Sequence, residues 1–226
     1  MFFYTRDNFI CAFCGEKKSD GTHFRNRCGI CTECNERVGK TPRGGTFSGR
    51  EYIKYIISAL FYEGLTRDAI MRYKFEGWSG IAAVFEYIMR EHISGFTHLN
   101  DFDAVIPVPL SKERYNERGF NQSLPLAQAV AKTVGIKCDE KSFVKIRNTR
   151  RQSRLTLNER IMNVHGAYRA DSTVRGKRII LVDDIYTTGA TLNECARTLA
   201  EAGTKDIIGV TLAIKYKKEK SPAFRY

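Results

Sequence analysis

The chain has 226 residues, 42% of them apolar, which is enough to fill a core in one large domain with a small appendage. A formal net charge of +12 and a pI near 9.4 suit polyphosphate ligands or nucleic acid and say nothing about fold. No run of about 18 apolar residues occurs, which argues against a membrane span, and Met1 to Asp7 lacks a basic stretch followed by an apolar one, so the chain reads as cytoplasmic.

Residues 1–40 carry little apolar periodicity but hold five of the seven cysteines, all between Cys11 and Cys34. A disulfide framework suits a short secreted chain; a cytoplasmic one points to metal. Cys11-x-x-Cys14 and Cys31-x-x-Cys34 are separated by sixteen residues, the spacing of a tetrahedral zinc site. Four thiolates leave no open coordination position, so the expected role is structural, contributing on the order of 10 kcal/mol to folding this segment. Cys28 forms a rival pair with Cys31, and His23 is a further candidate ligand. Asn35-Glu36-Arg37-Val38, reading as a helix that leaves the knuckle, favours Cys34. Such a module serves equally as a structural cap or as a nucleic-acid binder. Cys138 and Cys195 stand alone and read as small apolar fillers.

Lys40 to Thr46 carries turn and linker residues, which divides the chain into a module at 1–45 and a domain at 46–226. In that domain, residues 50–64 present Ile53, Ile56, Ile57 and Leu60 at helical spacing and predict a helix. A short helix at 66–74 and a third, Ile81 to Ile93, complete a helical lead-in to residue 100. The core at 101–226 opens with a buried strand, Asp103 to Pro109, stopped by proline. A helix over Gln122 to Val134 and a strand over Ser142 to Ile146 follow. Residues 147–160 are basic and weakly apolar, which predicts a mobile loop and then a helix. Arg178 to Val182 is a near-continuous apolar strand, as in a parallel sheet covered on both faces. Ala190 to Ala202 is a helix closed by Gly203, and Ile207 to Ile214 the next strand, giving a right-handed βαβ unit.

The chemistry concentrates in Val182-Asp183-Asp184-Ile185-Tyr186-Thr187-Thr188-Gly189-Ala190-Thr191. An apolar strand runs into two acids, then a loop of small hydroxyl residues and glycine opens a helix. Ligands of open α/β sheets bind beyond the carboxyl ends of strands. Backbone N–H groups over Thr187 to Thr191, with the helix dipole, suit a phosphate. Gly189 permits close approach of the backbone. Asp183 and Asp184 repel phosphate and suit sugar hydroxyls, directly or through a magnesium shell. Two acids at a buried strand end would be costly without partners, and no GxxxxGK[ST] loop is present. Upstream, Leu110 and Ser111 follow a strand end, and Arg114 and Arg118 share one face of a helical turn that would clamp anionic oxygens.

This stretch resembles the binding motif for phosphoribosyl pyrophosphate (PRPP) of type I phosphoribosyltransferases. Val105 to Gln122, ending Arg118-Gly119-Phe120-Asn121-Gln122, resembles the ComF family. Arg147 to Leu155, Glu159-Arg160, Asn163-Val164 and Tyr73-Lys74-Phe75-Glu76-Gly77 agree with it, as does the cysteine module. The resemblance implies an α/β fold with a parallel sheet flanked by helices. It implies that Asp183 and Asp184 hold the ribose hydroxyls and that Thr187, Thr188, Gly189, Ala190 and Thr191 hold the 5′-phosphate. Leu110, Ser111, Arg114, Arg118 and Lys74 are further PRPP candidates.

The function expected is a magnesium-dependent phosphoribosyltransferase-like protein of DNA uptake and processing, working with other competence proteins such as a DNA translocase. Single-stranded DNA is the expected partner of Arg150, Arg151 and Arg154. Arg50, Lys54, Arg72 and Lys74, with Tyr52, Tyr55, Tyr62 and Trp78, could supply a stacking platform. The alternatives are a PRPP-dependent binding protein without turnover and a nucleobase salvage enzyme.

Overall fold

In a computed structural model of the chain, the described residues are 8–24, 28–40, 46–75, 79–150 and 156–215. The N-terminal module is a small sheet of β1 (Phe9–Cys11), β2 (Lys17–Lys18), β3 (Gly21–His23) and β4 (Cys28–Cys31), in the order β2-β1-β4-β3. Helix α1 (Thr32–Lys40) leaves it directly. Next come β5 (Thr46–Ser48), β6 (Tyr55–Phe61), α2 (Gly64–Phe75) and α3 (Ser79–Ile93). The remaining elements are β7 (Ala104–Pro107), α4 (Lys112–Arg118), α5 (Ser123–Val134), β8 (Lys137–Cys138), β9 (Phe143–Lys145), α6 (Leu157–Val164), β10 (Tyr168–Ala170), β11 (Arg178–Tyr186), α7 (Ala190–Glu201) and β12 (Asp206–Ile214).

The main sheet has the order β5-β6-β12-β11-β7-β8; every pairing is parallel except that of edge strand β5 with β6. One face carries α2, α3 and α5 and the N-terminal module. The other carries α6, α7 and the antiparallel pair β9–β10. Burial on both faces explains the apolar run of β12, buried from Ile207 to Ile214.

The expected helix over 50–64 is instead strand. Tyr55 to Phe61 pairs parallel with β12, and five consecutive residues are buried. A strand covered on both faces satisfies any apolar period, so the helical spacing of Ile53, Ile56, Ile57 and Leu60 carried no information about helix. The β-branched pair Ile56-Ile57 between aromatic ends favours the extended form.

From β7 the chain passes through α5 to β8 on one side, and from β11 through α7 to β12 on the other. The connections diverge between β7 and β11, so a crevice opens at their carboxyl ends, where open α/β sheets bind ligands. Among the described residues no helix is long and apolar enough to cross a membrane.

Candidate functional site

Strand β11 does not stop at Val182 but continues through both acids to Tyr186. Successive strand residues point to opposite faces. Ile180 and Val182 belong to the core beneath α3 and α5, and Ile179 and Leu181 to the core beneath α7. Asp184 therefore faces the α2/α5 side and Asp183 the α7 side, straddling the sheet at the crevice.

Asp184 is only 6% exposed, and its Oδ2 lies 2.7 Å from Lys74 Nζ. The sequence offered Lys74 as a ligand of the small molecule; the structure pairs it with the acid. Asp183 Oδ1 accepts from Ser123 Oγ (3.0 Å) and from the Asp184 amide (2.9 Å). Burial, and next the charge of Asp184, push the Asp183 carboxyl up to about 7, while Lys74 pulls the other way. Asp184 is thus matched by a cation, whereas Asp183 is held by a hydroxyl and an amide.

Beyond Tyr186 the loop carries half-buried Thr187 and Thr188 to Gly189, which sits at φ 77° and begins α7. A Cβ at Gly189 would collide with the Tyr186 ring and hydroxyl, so both conformation and space require glycine. The Gly189 carbonyl accepts from Asn193 N (2.8 Å) and the Ala190 amide donates to Thr188 Oγ1 (3.4 Å). Thr191 lies half-buried in the first turn of α7. The loop thus presents a helix start to the crevice.

Across the crevice, half-buried Leu110 and buried Ser111 follow β7. Ser111 caps α4 by accepting from the Arg114 amide (3.4 Å) and donates its hydroxyl to Asn148 Oδ1 (3.0 Å). Arg114 Nη2 reaches the Thr149 carbonyl (3.3 Å), tying α4 to the 147–150 segment. Arg118 Nη1 donates to Gln122 Oε1 (2.7 Å), and its guanidinium lies 5.4 Å from the centre of the Phe75 ring. The two arginines share α4 but have different partners.

Arg150 is exposed, with its backbone clasped by Asn163: the Arg150 amide donates to Oδ1 (2.9 Å) and its carbonyl accepts from Nδ2 (3.0 Å). Arg151 and Arg154 lie outside the described residues. Among the described residues the expected platform divides between the two ends of the sheet, with Tyr62 beside Ile214 at the carboxyl end of β12. Tyr52 and Lys54 line a shallow cleft with Thr204 and Asp206 at the amino ends of the strands, whereas Lys74 is at the carboxyl ends. Arg72 turns to the N-terminal module, and the Tyr55 hydroxyl pairs with His98 Nε2 (2.8 Å). Trp78 lies outside the described residues.

Sequence reasoning passed over three residues of the site. Gln122 ended the ComF-like stretch without a role, Ser123 adjoined it, and Lys145 lay in a short strand. Lys145 Nζ donates to Thr149 Oγ1 (2.9 Å), and burial pulls it down to about 8. Only contacts across the fold, such as Ser123 to Asp183, single these residues out.

In the N-terminal module, Cys11, Cys14, Cys31 and Cys34 bring their sulfurs within 4.8 Å of one another and can hold a metal ion. Burial works against a Cys11 thiolate, yet the amides of Cys31, Cys14 and Phe13 outweigh it and lower its pKa. Cys28 is buried outside this group, and burial pushes its thiol up to about 11. The side chain of His23 lies outside the described ones. Cys195 is fully buried in the core, where burial keeps its thiol neutral.

The phosphoribosyl transferase domain family matches residues 121–225. Competence protein ComFC of Streptococcus pneumoniae is 30% identical over 188 residues, 82% of this chain and 74% of that protein. Competence protein ComFC of Bacillus subtilis is 29% identical over 90% of this chain and 82% of its own length. DNA utilization protein YhgH of Salmonella typhi is 28% identical over 88% of this chain and 87% of its own length. A parallel sheet with an acid pair at its crevice, a glycine-opened helix and a four-cysteine module thus accompany identity along most of the chain, which belongs to the ComF family of phosphoribosyltransferase-like proteins.

Proposed function

We propose that the chain binds magnesium–PRPP and acts in the uptake or processing of DNA, with a structural zinc in residues 1–45 and the ligand in the crevice of residues 46–226. The observation that carries the reading is the placement of Asp183 and Asp184 at the carboxyl end of β11, beside the helix start at Gly189 and at the point where the connections diverge. Asp183 and Asp184 take the ribose hydroxyls. Thr187, Thr188, Gly189, Ala190 and Thr191 take the 5′-phosphate. Leu110, Ser111, Arg114 and Arg118 meet the pyrophosphate from the β7 side. Two carboxylates with substrate phosphates suit magnesium, which needs no dedicated protein cage. When bound, magnesium neutralises charge on the departing pyrophosphate. The arginines add fixed positive charge where that charge develops, and no protein nucleophile is required. Competence and DNA-utilisation relatives support the DNA role, with a single strand as partner of Arg150, Arg151 and Arg154.

Calorimetry with magnesium and PRPP tests the site. Asp183→Asn with Asp184→Asn should weaken binding more than tenfold, since charged hydrogen bonds typically contribute about 1.5–3 kcal/mol each. Unchanged affinity removes the proposal. A second reading, PRPP-dependent binding without turnover, draws on the Lys74–Asp184 ion pair, which a ligand must displace and which would make binding itself a conformational signal. Release of pyrophosphate from PRPP, with and without nucleobase acceptors, separates the two.

A further inference from the structure

Near the acid pair, beside the Arg118 assigned above to the pyrophosphate, stand aromatic side chains that the small-molecule reading leaves unused. Phe75 ends α2 one residue after Lys74 and is 53% exposed; Tyr115 on α4 is 51% exposed. Tyr115 and Arg118 are three residues apart on α4 and so lie on one helix face. The Arg118 guanidinium covers one side of the Phe75 ring. A half-exposed ring against a cation, with a second half-exposed ring on the cation's helix face, differs from the singly scattered apolar residues of an ordinary surface.

A second observation lies directly behind them. Gln122 is 1% exposed and accepts from Arg118 at its Oε1, yet its Nε2 has no acceptor, and neither has Arg118 Nε. Buried donors without acceptors are uncommon and costly.

We propose that Phe75, Tyr115 and Arg118 form a stacking platform for an unpaired base of a single-stranded nucleic acid, beside the acid pair and backed by Gln122. Single strands expose base faces, whereas a duplex hides them in its stack. Aromatic rings bind those faces with little sequence preference, and the arginine adds a cation for the base or a neighbouring phosphate. A chain of net charge +12 draws in such a strand. The inference rests on the nucleic-acid part of the function proposed above, not on PRPP.

The test measures fluorescence anisotropy of a labelled oligothymidylate of about 15 nucleotides against an abasic strand of equal length. Phe75→Ala and Tyr115→Ala should each weaken the oligothymidylate about tenfold, leave the abasic strand unaffected and keep the salt slope. Phe75→Tyr should restore binding. Equal loss on both strands, or loss on neither, overturns the platform while leaving the DNA role standing. If the wild-type chain binds no single strand at low salt, the DNA role falls and the platform with it. Binding of free adenine or thymine without any strand would assign the rings to a small molecule and equally overturn the proposal.

Discussion

Lys145 carries a charge into a place where water reaches it poorly. It sits on β9 with Nζ 5.2 Å from the centre of the Tyr168 ring and on the Thr149 hydroxyl, and burial lowers it to about 8 from the ordinary 10.5. Between those two values the unfolded chain holds a proton that the folded chain has released. Stability therefore rises with pH through that window, and the penalty is fully present below it. Lys145→Met removes this dependence. Relative to wild type, the variant should be favoured near neutral pH, and its advantage should shrink as the pH approaches about 10. Urea midpoints of both chains at the two pH values give the comparison, and a constant difference would contradict it. The sequence offered no sign of Lys145, because a lone lysine in a three-residue strand looks like any exposed cation. Gly189 is the opposite case: its place between two acids and a helix start was readable, and its φ of 77° and the nearby Tyr186 supply the reason.

Helix α2 links two parts of the chain that are far apart in sequence. Arg72 Nη2 donates to the Ala12 carbonyl (3.1 Å) and to that of Phe13, both in the Cys11–Cys14 knuckle. Tyr73 is fully buried between Phe85 and Phe120, with its hydroxyl on the Gln122 carbonyl (2.9 Å). Lys74 reaches Asp184. With 3.6 residues per turn, three consecutive side chains fan out in three directions, which lets one helix bind the knuckle, the start of α5 and the acid pair. Arg72→Ala should cost about 1.5–3 kcal/mol, the range for hydrogen bonds to a charged group. Arg72→Lys should recover only part, since the lysine ammonium ends one bond short of Nη2, the atom that donates to both carbonyls. Urea denaturation of the full chain measures both, and full recovery by lysine would refute the need for the reach of Nη2. The expected helix at 66–74 matched α2 within two residues at its start and one at its end. The partner of Arg72 was invisible because it lies 60 residues away. The misread strand β6 shows the converse limit: when both faces are covered, the local pattern loses its period, and only pairing with β12 decides the structure.

At the scale of the whole molecule, the sheet and its acid pair were legible because a βαβ unit constrains its own geometry, whereas the order β5-β6-β12-β11-β7-β8 depends on pairings that no local pattern encodes. The join between the module and the sheet was equally hidden. Cys11, Phe13, Cys31 and Cys34 belong to the same buried cluster as Ile81, Phe85 and Met89 of α3 and Val182 of β11. The Phe13 and Phe85 rings meet edge to face at 6.3 Å. A sheet with strands of two to four residues cannot hold such a surface unaided, so a metal at the four thiolates would fix the knuckle that α3 packs against. Removing that metal should then destabilise more than the module. Elemental analysis should find one zinc per chain, lost in Cys11→Ser and Cys34→Ser and kept in Cys28→Ser, whose sulfur lies outside the group. Thermal unfolding of the full chain should fall with chelator in the wild type and in Cys28→Ser alike, because structural zinc supplies on the order of 10 kcal/mol to such modules and the apolar face of α3 loses its cover when the knuckle opens. Full zinc content in Cys34→Ser would show that another residue completes the site. Zinc loss that leaves the unfolding temperature of the chain unchanged would show that the shared core holds without the metal.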